Sequence, residues 1–166
     1  MADKNAFTAE EWQQVLGSVF MAGFAVTAAD PSGLWGMLKE SVASGRALLE
    51  AKSGAGAGEL VKAIVSDFES SEGRAAAQAF VKSRVSGAQR GEIKQRAIDA
   101  VGQAGAIVDA KAPAEAAEFK RWLLATANQV ADASKEGGFL GFGGVTVSDA
   151  EKATLGDLAA ALHVNA

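Results

Sequence analysis

The chain has 166 residues, 49% of them hydrophobic and 22% charged, and a net charge of −4. It has no cysteine and one histidine, which excludes disulfides, thiol catalysis, zinc–thiolate and iron–sulfur centres, and any site that needs two imidazoles. The apolar fraction excludes wholesale disorder, the length suits a single domain with its own core, and the acidic balance argues against broad nucleic-acid binding.

The opening residues, MADKNAFTAE, lack a basic start followed by an apolar stretch. They carry no secretory signal, so the expected compartment is the cytoplasm. Thr8 and Glu11 form a capping box, and Trp12, Val15, Leu16, Val19, Phe20 and Phe24 follow at helical spacing, which predicts a helix over 9–29. This stretch is nearly free of charge and close to the minimum length of a membrane span. Its glutamines, glycines and one-sided large residues favour a buried core helix.

Asp30-Pro31 stops that helix and starts another, carrying Leu34, Trp35, Leu38, Val42 and Leu49 to about residue 52. Three glycines within 53–58 make a flexible linker. Leu60, Val61, Ile64, Val65 and Phe68 mark the next helix, and Ser70-Ser71-Glu72-Gly73 breaks it. A short helix follows with Phe80, Val81 and Val85, then a break at Ser86-Gly87. Ile93, Ala97, Val101, Ala104 and Val108 mark another helix, and Pro113 opens the one bearing Phe119, Trp122, Leu123, Thr126 and Val130. After the apolar, glycine-rich loop 137–144, Ser148 and Glu151 form a second capping box ahead of Leu155, Leu158 and Leu162. The expectation is an all-α bundle of six to seven helices. Its 37 alanines and 19 glycines should let the helices approach closely.

Catalysis is the weakest class. His163, the only candidate base, lies at the end of the last helix, where a cation suits the dipole. No Glu-x-x-His pair exists for a di-iron site. Glu115 and Glu118 are read as an exposed first helical turn. The loop holding Phe139, Leu140 and Phe142 has the glycine content of a phosphate cradle, but no strand precedes it and no Gly-Lys-Ser/Thr follows. Its apolar side chains either plug the bundle or form a small binding patch.

Charge is unevenly spread. Arg74, Lys82, Arg84, Arg90, Lys94 and Arg96 face only Glu92 in their segment, which therefore carries +5 and leaves −9 for the rest. Such a layout suits an anionic partner on one side, whether a phosphate-bearing ligand, an acidic protein or a membrane surface, or else a solvated face balanced by acids of other helices.

Two stretches resemble one family. Ala25-Val26-Thr27-Ala28-Ala29-Asp30-Pro31-Ser32-Gly33 is similar to the alanine-rich helix and acidic turn of TerB-like domains, the tellurite-resistance family. Gly143-Gly144-Val145-Thr146-Val147-Ser148-Asp149-Ala150-Glu151, with Leu155 and Ala159 to Leu162, is similar to that family's second turn and final helix. The likeness covers about forty residues of common helix punctuation. Relative to the pattern, Pro31-Ser32 is inserted in the first turn, and Gly143 replaces an acid in the second. The resemblance implies an all-helical bundle with a role in stress or toxic-anion response, and a divalent cation held by Asp30, Asp149 and Glu151. Capping alone also accounts for these three acids.

Three functional expectations follow. One is a non-catalytic cytoplasmic TerB-like domain that binds a protein partner or a divalent cation. Another is a bundle that holds a small apolar or anionic ligand under the 139–142 loop, with the basic residues at the mouth. The last is a peripheral membrane protein that uses the uncharged first hairpin. A homo-oligomer is compatible with each of them, and nucleic acid is not an expected partner.

Overall fold

The computed structural model describes residues 4–29, 58–136 and 147–164. Among these residues there are six α-helices and a short 3-10 turn, Lys4–Ala6, and no strand. The helix predicted over 30–52, the linker 53–57 and the loop 137–144 lie outside the described residues.

Helix α1, Ala9–Ala29, starts where its capping box places it. The Thr8 amide donates to Glu11 Oε2 at 2.8 Å, and the Glu11 amide donates to Thr8 Oγ1 at 3.2 Å. The backbone bond from Thr8, together with Lys111 at 3.3 Å, holds the Glu11 carboxyl below the ordinary glutamate range. That stabilisation is present at neutral pH and is lost as pH falls through and below that range. Residues 15–19, 21, 22, 25 and 26 are all buried, so α1 is enclosed on nearly every side and not along one stripe. A helix that is apolar all round belongs at the centre of a bundle. The buried Ser18 hydroxyl donates to the Val15 carbonyl at 2.7 Å, which removes the cost of an orphan donor there.

Helix α2, Glu59–Glu69, and helix α3, Ser71–Val85, meet at a single residue. The Ser70 amide and hydroxyl donate to the Asp67 carbonyl at 3.0 and 2.8 Å, and Ser70 Oγ accepts from the Gly73 amide at 2.9 Å. One serine therefore ends one helix and caps the next. Gly73 must be glycine here, because a Cβ would stand 2.1 Å from the Asp67 carbonyl oxygen. Arg74 closes the joint by donating to the carbonyls of Phe68 at 2.9 Å and Glu69 at 2.8 Å. The expected break over 70–73 is thus confined to Ser70. The helix after it is 15 residues long, where a short one was expected.

Helices α4, Arg90–Lys111, and α5, Pro113–Glu136, are separated only by Ala112. Helix α6, Asp149–Ala161, follows the second capping box, in which the Ser148 amide donates to Glu151 Oε2 at 2.8 Å and the Glu151 amide donates to Ser148 Oγ at 3.2 Å. Helices α3, α4, α5 and α6 pack around α1, and α2 lies against α3 and α5. Where α1 crosses α3, Gly17 faces Phe80, and a Cβ at Gly17 would come within 2.1 Å of the ring. Small residues thus let the helices close on a few large anchors, Leu16, Met21, Phe119 and Leu123, all shielded from water.

Candidate functional site

The basic segment folds into α3 and the first half of α4, and the cations take different roles. On α3, Arg74 and Lys82 are exposed and stand two turns apart on one face, with exposed Gln78 between them. Arg84 is half-buried. Its guanidinium lies 5.0 Å from the centre of the Phe80 ring, and its Nη2 donates to Gln103 Oε1 on α4 at 3.0 Å. Arg96 reaches back from α4, where its Nη1 donates to the Arg84 carbonyl at 3.3 Å and so caps the last turn of α3. Its Nη2 makes a long contact with Glu92 at 3.5 Å. Lys94 pairs with Asp157 of α6 at 3.0 Å. Arg90 opens α4.

Across the seam between α3 and α4 the contacts are made by Arg84 and Arg96, while Arg74 and Lys82 stand on another face of α3 and Lys94 turns to α6. Among the described residues, Lys94 and Arg96 have carboxylate partners, while Arg74, Lys82 and Arg84 have none within ion-pair distance. Exposed ion pairs contribute about 0–1 kcal/mol each. The arrangement therefore adds little to stability beyond its capping bonds, and it leaves the surface here net positive.

The acidic candidates are not brought together. The Glu151 carboxylate is buried against the start of α6, where it accepts from the Ser148 amide and hydroxyl. Asp149 is fully exposed and 3.4 Å from Lys152. Asp30 lies outside the described residues, as do Phe139, Leu140 and Phe142. Among the described residues no group of three or more histidine, aspartate or glutamate side chains could hold a metal ion. His163 is exposed and follows α6 in a left-handed conformation, with φ 54°.

Three polar clusters escaped the sequence reading. Glu115 and Glu118 do not simply face solvent. Both are half-buried, and they accept the backbone amides of Leu60 and Gly58, capping α2 from another helix. Their i, i+3 spacing on α5 was visible, but their partners lie 55 and 60 residues away. Asp67 ties three elements, accepting from Trp12 Nε1 at 2.6 Å and pairing with Lys4 at 3.0 Å. Lys120 is buried and pairs with Asp109 at 2.6 Å across the α4–α5 joint. All of these groups hold helix ends or helix pairs.

No helix among the described residues is long and apolar enough to cross a membrane. No family model, curated protein or solved structure matches the chain.

Proposed function

We propose that this protein is a non-catalytic, cytoplasmic helical domain of TerB-like kind that acts in a stress response by docking an anionic partner on the α3–α4 seam. The observation that carries this reading is that Arg84 is held at the seam by neutral groups, with no carboxylate in ion-pair range among the described residues, in a chain of net charge −4. An overall acidic protein that leaves a fixed cation unneutralised attracts anions to that place and repels them elsewhere. The family resemblance supports the stress-response context, and the cysteine-free composition fits the cytoplasm.

Between the two binding modes expected of a TerB-like domain here, a partner is favoured over a cation. Glu151 is committed to capping α6 and Asp149 points into solvent beside Lys152, whereas a hard divalent cation wants several oxygens converging on one point.

Titrating the isotopically labelled protein with polyglutamate and with heparin at low salt tests the reading. The expected result is a saturable change confined to amides of the α3–α4 seam with at least one polymer, weakened by added salt and abolished in Arg84→Glu. Changes elsewhere that survive in the variant, or none with either polymer, would refute the docking surface. A rise in melting temperature with Ca²⁺, Mg²⁺, Mn²⁺ or Zn²⁺ that EDTA reverses would put the cation in the partner's place.

A further inference from the structure

We infer that the anionic partner is a short acidic segment of another protein, whose carboxylates are gripped by Arg84 and Arg96 across the seam. This rests on the reading above and narrows it to one chemistry. The Arg84 guanidinium is fixed by two neutral groups, the Phe80 ring beneath it at 5.0 Å and the Gln103 amide oxygen at 3.0 Å. Both hold the side chain in place and neither cancels its charge. A guanidinium has five N–H donors in a rigid fork, and the bond to Gln103 uses one of them. The rotamer freedom that a carboxylate would otherwise have to freeze is already gone, so binding here starts from a preorganised cation.

Arg96 completes the arrangement from the opposite wall. Its Nη1 is held by the Arg84 carbonyl at 3.3 Å, its link to Glu92 is long at 3.5 Å, and its side chain is 41% exposed. Gln103 lies seven residues beyond Arg96, two turns along the same face of α4. Arg84 leans across the seam toward Gln103 and Arg96 leans back to the Arg84 carbonyl, so both side chains span α3 and α4. Planar forks suit carboxylates, which they engage in bidentate fashion.

The surrounding charge selects the kind of anion. Outside residues 74–96 the chain carries −9, so attraction is local to the seam. A nucleic acid or an anionic membrane would extend beyond a Debye length of about 10 Å and meet the acidic remainder. Base stacking would need an open aromatic face, and Phe80 is only 6% exposed, beneath Arg84. A segment of a few carboxylates feels the seam and little else.

The test is a titration of the labelled full chain with a hexaglutamate peptide and, separately, with a six-nucleotide oligothymidylate, at low salt. Hexaglutamate should shift amides around residues 80–96 and at Gln103 saturably, while oligothymidylate binds at least five-fold more weakly. Arg84→Lys keeps the charge and loses the fork, so it should weaken hexaglutamate at least three-fold, and Arg84→Gln about ten-fold, with melting temperatures checked to show that both variants fold. Equal or tighter binding of oligothymidylate overturns the acidic-segment inference and leaves an anion-docking seam standing. Wild-type affinity in Arg84→Lys overturns the fork. Concentration-dependent dimerisation that Arg84→Gln removes would assign the seam to a second copy of the chain and overturn the inference. No response to either titrant sinks both readings.

Discussion

The starts of α6 and α2 solve one problem in opposite ways. Each helix begins with amides that have no partner within the helix. Helix α6 supplies its own cap from four consecutive residues, with Ser148 and Glu151 exchanging bonds with each other's amides. Helix α2 is preceded by Gly58, whose lack of a side chain leaves it no cap of its own, and it borrows Glu118 and Glu115 from α5. A self-capped helix can start forming before the rest of the chain has folded. A borrowed cap exists only once α5 is in place, so the first turn of α2 depends on tertiary structure. The helix itself is held by burial of Leu60, Val61, Ile64, Val65 and Phe68, each contributing about 1.5–3 kcal/mol at most. The borrowed carboxylates decide where it starts.

The contrast breaks most visibly at the borrowed cap. Glu115→Ala with Glu118→Ala removes the acceptors of two backbone amides in a half-buried place, and should cost about 2–3 kcal/mol in chemical denaturation. Hydrogen exchange should quicken at Gly58 and Leu60 and through the first turn of α2, while α4 and α5 keep their protection. A loss spread evenly over all helices would mean that the pair acts on the whole bundle. Ser148→Ala gives the matching measure for the local cap. It should cost about 1 kcal/mol, with fraying confined to the first turn of α6. If Ser148→Ala proves as costly as the double glutamate variant, the borrowed cap adds nothing beyond an ordinary one.

The same contrast explains what could be read from the chain before folding. The starts of α1 and α6 were legible because Thr8–Glu11 and Ser148–Glu151 are signals written within four residues. The all-α class followed from periodicity repeated in most segments. The first half of α3 was missed because Ala75, Ala76, Ala77, Gln78 and Ala79 include no large apolar residue to reveal the spacing, and Ser70 to Gly73 has the composition of a turn. The encirclement of α1 was missed because its alanines, glycine and serine register as a weak face although neighbours touch them closely. For the site, the excess of cations between Arg74 and Arg96 was visible as arithmetic. Which of them is neutralised and which is only held in place was not, because Asp157 and Gln103 meet them only through helix packing. The capping role of Glu151 was legible for the same local reason as the helix start itself.

The far end of α6 offers the smallest and cleanest test of local encoding. The Val164 amide donates to the Ala159 carbonyl at 3.0 Å and the His163 amide donates to the Ala160 carbonyl at 3.1 Å, the paired bonds of a Schellman cap. That cap needs a left-handed residue at its centre, and glycine usually supplies it. Here His163 does so, with φ 54° and an exposed ring. A side chain with a Cβ pays a steric penalty in that region which glycine avoids, offset in part by the greater freedom glycine has in the unfolded chain. His163→Gly should therefore stabilise the protein by about 0.5–1 kcal/mol, seen as a rise in melting temperature of a few degrees. His163→Ala keeps the Cβ and discards the imidazole, so it should leave stability within about 0.5 kcal/mol of the parent. A destabilised glycine variant would show that the imidazole, and not the backbone at this position, matters to the end of α6.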